Sequence, residues 1–101
     1  MGQTDSAYIT ADLAVLNLIP NTPSIFLGMQ DHNKQILMGL SSNKVGFCDA
    51  TNAFLAATAA TKTVTTSSVK NWRVSKFGTD SVVIYGDGMS LVNLTYASLA
   101  A

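Results

Sequence analysis

The last third of the chain alternates apolar and polar residues with the period of two that is typical of a β-strand. Asp87 and Gly88 interrupt this pattern with a strong hairpin signal, because glycine takes a positive φ without steric cost. The alternation therefore predicts a three-stranded antiparallel meander over residues 72–96. Its strand segments are WRVSKF, SVVIYG and LVNLTY.

A similar order of apolar segments and turns occurs earlier in the chain. The segments LAVLNL, SIFLGM and ILMGLSS are separated by PNTP and by QDHNKQ, and NKVGFCD follows as a further short strand. Proline restricts both itself and the residue before it, so PNTP ends any regular element. This pattern predicts a second meander-like unit over about 13–42. The few identities between the units leave duplication open, but two generic meanders explain them at least as well.

Two segments fit more than one structure. Tyr8–Ile19 fits a helix with Ile9, Leu13 and Leu16 on one face, and it also fits a strand with Ile9 and Val15 on one face. In the second segment, several alanines and a capping residue at the start favour a short helix near 51–61. Threonine and valine further on favour an extended arm or edge strand over 51–69 instead.

Turn signals recur at intervals of roughly 8–12 residues, which is typical of an antiparallel sandwich or barrel. We therefore predict an all-β fold, a small antiparallel sandwich or barrel built from two meander-like units, about 13–42 and 72–96. The chain, residues 1–101, forms one domain, and residues 1–7 are a loose or partner-bound arm. The hairpins resemble the units of β-trefoil lectins, but that family needs three units and this chain offers two, so it is not assigned to it.

The composition excludes several classes of function. Charged residues make up only 12% of the chain, whereas soluble domains average about 25%. The six basic residues form no dominant stripe, which argues against nucleic acid as a partner. No apolar run is long enough to span a membrane, and no signal peptide is visible. Cys48 is the single cysteine, so an internal disulfide cannot form.

The chain offers little catalytic chemistry. Cys48 and His32 are the one nucleophile and base that could pair, and no motif supports their pairing. Most aspartates lie at turn or cap positions, where they serve local hydrogen bonding. One histidine and one cysteine cannot complete a zinc tetrahedron. We therefore expect no enzyme activity, no cofactor and no metal.

Low charge and abundant threonine, serine, asparagine and alanine suit a surface that is covered by other subunits. Long charged side chains cost entropy to immobilise and are depleted at interfaces. The pattern therefore favours a structural, self-assembling β domain of a virus or phage particle, such as a capsid-decoration, tail or fibre protein. Its expected partners are copies of itself and neighbouring structural proteins, and its expected location is the virion or the extracellular space.

A small lectin-like module is the alternative. The two polar turns and a nearby tyrosine would then bind a surface glycan. Trp72, Tyr85 and Tyr96 could together form a stacking surface for a sugar, but aromatic side chains at alternating positions are more often core, so all three are expected inside the domain. The predicted ligand contacts are Asp31, His32, Asn33, Tyr85 and Asp87.

Overall fold

Two four-stranded antiparallel sheets pack against each other in the computed structural model, which describes residues 1–14 and 17–99. One sheet has the order β1-β6-β7-β8 and the other the order β2-β3-β4-β5. The strands are β1 (Ala7–Asp12), β2 (Ile25–Gln30), β3 (Gln35–Leu40), β4 (Lys44–Cys48), β5 (Thr61–Thr63), β6 (Asn71–Phe77), β7 (Ser81–Gly86) and β8 (Met89–Thr95). The predicted all-β sandwich is confirmed.

The meander predicted over 72–96 is present as β6, β7 and β8. Its last turn contains only Asp87 and Gly88, whose φ angles are 50° and 84°. Positive φ at both central residues defines a type I′ turn, whose twist matches that of the flanking strands. Backbone geometry therefore accounts for the Asp-Gly sequence.

The other meander begins later than the sequence pattern suggested. Strand pairing starts at Ile25 and continues through β3 and β4 to β5. Residues 13–14 and 17–24 form no strand, while Val15 and Leu16 lie outside the described residues. β1 instead pairs with β6 of the opposite sheet, so the first part of the ambiguous segment, residues 8–12, is a strand.

The prediction of a short helix near 51–61 is wrong. Asn52 takes a φ of 63°, which ends any right-handed helical turn. The chain then returns to the sheet, where the N–H of Leu55 donates to the carbonyl of Phe47 at 3.0 Å. Only short 3₁₀ turns occur in the described residues: Thr58–Ala60, Thr66–Ser68 and Tyr96–Ser98. None of the described helical turns is long and apolar enough to cross a bilayer.

The core lies between the inner faces of the two sheets. Strands alternate as the sequence predicted, so every second side chain of β6 points inward. Trp72 is fully buried and Tyr96 nearly so, which confirms their expected place inside the domain. The same expectation is wrong for Tyr85, which is only partly buried because it lies opposite the exposed Arg73 on the outer face of its sheet. The largest buried apolar side chains are Ile36, Met38, Leu40, Val45 and Phe47 from one sheet and Trp72, Val74, Val82 and Ile84 from the other.

Candidate functional site

Asp31 follows β2 at the start of the β2–β3 turn, and its side chain is buried. Its Oδ1 atom accepts hydrogen bonds from the backbone N–H groups of Asn33 (2.7 Å) and Lys34 (2.6 Å). Aspartate commonly stabilises a turn in this way. His32 and Asn33 are exposed at the tip of the turn. The three predicted contacts are therefore neighbours, but the fold itself uses the carboxylate of Asp31.

A buried ion pair joins this turn to the opposite sheet. Lys76 of β6 points inward, and its Nζ lies 3.7 Å from Oδ2 of Asp31, with both side chains fully buried. The hydroxyl of Tyr96, just after β8, donates to the same Oδ2 at 2.5 Å. Buried charges need both a partner and hydrogen bonds, so these three side chains depend on one another. We call Asp31, Lys76 and Tyr96 the Asp31 cluster.

Two lysines fasten the segments at either end of the described chain. Lys76 Nζ donates to the backbone carbonyl oxygens of Gln3 and, at 2.7 Å, of Asp5. Lys34 Nζ donates to the carbonyl oxygen of Tyr96 at 3.0 Å and lies 4.8 Å from the centroid of its ring. Lys76 therefore holds the N-terminal arm against the domain, and Lys34 holds the segment after β8 against the β2–β3 turn.

The Asp31 cluster has a fixed protonation state at neutral pH. Burial by itself would raise the pKa of Asp31, but its hydrogen bonds, first that from Tyr96, and the charge of Lys76 lower the pKa from 3.8 to about 2. Burial and the neighbouring Asp31 raise the pKa of Tyr96 to about 12. Asp31 is therefore a carboxylate and Tyr96 a neutral donor, which suits a structural role rather than proton transfer.

The stability of the domain is expected to fall in acid because of Asp31. Its pKa is lower in the folded than in the unfolded chain, so its contribution is complete above the ordinary pKa of 3.8 and is lost as the pH falls towards about 2. Thermal unfolding followed by circular dichroism from neutral pH down to about pH 2 measures this loss. In Asp31→Asn, the melting temperature should fall less steeply as the pH is lowered. A fall as steep as that of the wild type would contradict the role of Asp31 in this loss of stability.

Asp87 lies at the opposite end of the sandwich from Asp31. Lys76, which contacts Asp31, pairs with Val82 of β7, and Gly86 directly precedes Asp87. Val82 and Gly86 are four residues apart, or roughly 13 Å along the strand. Oδ1 of Asp87 accepts the backbone N–H groups of Lys70 (3.1 Å) and Asn71 (2.9 Å). The structure therefore does not bring the two predicted turns together, and the Asp87 carboxylate anchors the chain that enters β6.

Cys48 is not arranged as a nucleophile. It pairs with Leu37 of β3, three residues or roughly 10 Å of strand from the end of the turn that carries His32. Burial, with a smaller effect of the charge of Asp49, raises the pKa of the thiol to about 12. Because the reactive form of cysteine is the thiolate, the protonated Cys48 thiol acts as a small buried apolar group.

The outer face of the β1-β6-β7-β8 sheet carries a different group of side chains, centred on Arg73. The guanidinium carbon of Arg73 lies 4.2 Å from the ring centroid of Tyr8 and 5.5 Å from that of Tyr85. Its Nε donates to Oγ of Ser75 at 3.1 Å. Tyr8 is 62% exposed and Phe77 is 44% exposed. We call Tyr8, Arg73, Ser75, Phe77 and Tyr85 the Tyr8 face.

A shallow groove of about 160 Å³ lies on the Tyr8 face, beside the ends of β1 and β6. A guanidinium held between two aromatic rings offers a flat cationic surface and a planar set of N–H donors. The groove therefore suits a carboxylate, a hydroxyl-rich ring or a neighbouring side chain. Its lining residues include Ser6, Tyr8, Arg73, Ser75 and Phe77.

The sequence analysis selected Tyr85 and missed the rest of the Tyr8 face. The alternation in WRVSKF placed Arg73 and Phe77 on the side opposite Trp72, which was already a signal of exposure. The position of Tyr8 had no such signal. It depends on the pairing of β1 with β6, where Tyr8 lies opposite Ser75, far away in the sequence.

Neither a metal site nor a similar protein assigns a function to these features. Among residues 1–14 and 17–99, no three histidine, cysteine or acidic side chains come close enough together to bind a metal. Comparison with models of protein families, with curated proteins and with solved structures found no match. The Asp31 cluster and the Tyr8 face are therefore interpreted from the geometry of this chain alone.

Proposed function

We propose that this protein is a non-enzymatic structural domain that assembles with copies of itself and with neighbouring proteins, as a component of a virus or phage particle. The observation that carries this proposal is the Tyr8 face. Its two largest exposed side chains are aromatic, Tyr8 and Phe77, and Arg73 is its one charged member. Aromatic residues and arginine are the residue types enriched at protein interfaces.

The placement of the charges supports the same function. All six acidic residues lie in turns, in the arm or at a strand end, and the buried Lys76 presents no charge to solvent. The solvent-facing charges on the strands are therefore few, namely Asp12, Lys44, Lys62 and Arg73. The terminal strands of each sheet also have one free edge, and free edges pair readily with other chains.

We expect the wild-type protein to have a mass in solution that is a multiple of its monomer mass of 10.6 kDa. Phe77→Lys adds a charge to the Tyr8 face and removes one of its two exposed aromatic side chains. It should weaken association by at least about tenfold, because removing an aromatic anchor of an interface costs about 2 kcal/mol or more. Multi-angle light scattering over a concentration series measures both masses.

Met89→Lys is the matched control for this substitution. Met89 is 70% exposed at the start of β8, beside the Asp87-Gly88 turn. The control should keep the wild-type mass at each concentration. A wild-type protein that stays at 10.6 kDa up to micromolar concentrations and above would overturn the proposed assembly.

Carbohydrate binding is the second candidate, and the groove on the Tyr8 face favours it. Sugar rings stack on aromatic side chains, and Arg73 has N–H donors for their hydroxyl groups. A glycan screen with the wild type and with Tyr8→Ala tests this candidate. Binding that is lost in Tyr8→Ala would support it, whereas the absence of any binding glycan would count against it.

A further inference from the structure

We propose that two copies of the chain associate through their Tyr8 faces around a twofold axis, with Arg73 of each copy bound to the carboxylate of Asp80 in the other. The inference rests on the proposed self-assembly and gives it a defined interface. Three observations lead to it: an oriented cation without an anionic partner, an anion without a donor, and the apolar surface between them.

Arg73 is held in place but has no acidic partner. Its guanidinium is fixed between Tyr8 and Tyr85, and its Nε donates to Ser75. Within the described part of the chain, the ion pair is that of Lys76 with Asp31, and the two terminal nitrogens of Arg73 have no protein acceptor. Because these contacts already hold the side chain in one conformation, a carboxylate can bind its planar guanidinium group with little further loss of side-chain entropy.

Asp80 is the complementary group. The other aspartate carboxylates each accept a hydrogen bond from the chain, namely those of Asp5, Asp12, Asp31, Asp49 and Asp87. The carboxylate of Asp80, in contrast, accepts none in the residues that the structure describes. Its backbone is nevertheless fixed in the β6–β7 turn, because its N–H donates to Phe77 (3.0 Å) and its carbonyl accepts from Tyr96 (3.1 Å).

The spacing of the two charges makes the face complementary to itself. Arg73 lies four residues, or roughly 13 Å, before Phe77 in β6, and Asp80 lies just beyond Phe77 in the following turn. A twofold axis that passes between them brings each arginine to the other copy's aspartate, because in such an interface every contact occurs twice.

The surface between the two charges suits the centre of such an interface. Phe77 and Tyr8 lie there with Ser75, which Arg73 covers, so no charged side chain of the face lies between Arg73 and Asp80. Protein interfaces are commonly apolar at the centre and polar at the rim. The paired charges would then fix the register of the two copies rather than supply most of the affinity.

Charge reversal tests this pairing directly. We expect Arg73→Asp and Asp80→Arg each to weaken self-association by at least about tenfold, because each variant places like charges together at both ends of the interface. An equimolar mixture of the two variants should associate again, since one end then pairs Arg73 with Asp80 and the other pairs the two introduced residues in reverse. Light scattering of each variant and of the mixture provides the readout.

Lys62→Asp is the control for net charge, because it reverses a charge on the other sheet and should leave the mass unchanged. Circular dichroism confirms that each variant is folded, and Asp80→Arg removes no described side-chain contact. Restored association in the mixture supports the pairing. Unchanged association in either single variant, or no rescue in the mixture, overturns it.

The same measurements distinguish a failure of the proposed self-assembly from a failure of the pairing between Arg73 and Asp80. If the wild type associates and Phe77→Lys does not, while the charge reversals have no effect, the Tyr8 face is the interface but Arg73 and Asp80 do not pair. If the wild type is a monomer at every concentration, both proposals are overturned.

Discussion

Replacing Asp31 with alanine is expected to lower the free energy of unfolding by about 3–5 kcal/mol, the usual cost of removing one partner from a buried ion pair. The ammonium group of Lys76 would remain fully buried without a counter-charge. The hydroxyl of Tyr96 would lose its acceptor at the same time. A domain of this size is stable by only about 5–15 kcal/mol, so the loss should be evident in urea unfolding followed by circular dichroism.

Asp49→Ala is a closely matched control. Oδ1 of Asp49 accepts two hydrogen bonds from Thr51, one from the backbone and one from the hydroxyl, and a third from the N–H of Ala53. Asp31 likewise accepts two backbone N–H groups and one hydroxyl. The two aspartates differ in that Asp31 is buried and faces a buried cation, whereas Asp49 is partly exposed and faces none in the described part of the chain. A similar loss in both variants would contradict a stabilising role for the ion pair.

The double variant Asp31→Ala with Lys76→Met isolates the cost of the unpaired charge. Methionine fills much of the space of the lysine stem without an ammonium group. Because an apolar replacement of a whole buried pair is often neutral or stabilising, we expect the double variant to be more stable than Asp31→Ala alone. A double variant that is less stable would show that the hydrogen bonds of Lys76 to the N-terminal arm contribute more than its unpaired charge costs.

Local patterns in the sequence predicted most of the strands. β6, β7 and β8 follow one another through short turns, so alternation and the Asp87-Gly88 signal are enough to place them. The segment from 51 to 63 was less predictable. Its alanines favour a helix by small local preferences, which the return of the chain to β4 and the positive φ of Asn52 override. Interactions between distant residues decide such weakly determined segments.

The candidate sites depend even more on distant contacts. In the sequence, Lys76 is a polar residue on the predicted inner side of a strand, and nothing marks Asp31 as its partner. Only the packing of two sheets brings their side chains to 3.7 Å. Tyr8 meets Arg73 because β1 crosses to the opposite sheet. The residue types of both sites were visible in the sequence, whereas their partners required the three-dimensional fold.

Trp72→Ala is expected to have the other large effect, a loss of about 3–5 kcal/mol, as is usual when a large aromatic side chain is removed from a core. Trp72 is fully buried in β6, and its ring lies beside Gly86 of β7, where an added Cβ would come within 3.5 Å of it. Alanine leaves most of the space of the indole ring unfilled, and the cavity that remains adds to the loss of buried apolar surface.

Trp72→Phe separates the loss of packing from the polar part of the indole. The Nε1 of Trp72 is buried and has no hydrogen-bond partner among the described residues. An unsatisfied buried donor is itself unfavourable, so phenylalanine removes that penalty and retains one aromatic ring. We expect it to lose roughly half as much stability as alanine, or less. Trp72 is the single tryptophan of the chain, so unfolding of these variants must be followed by circular dichroism. A loss in Trp72→Ala of only about 0.5 kcal/mol, the level of a surface substitution, would contradict a core between the two sheets.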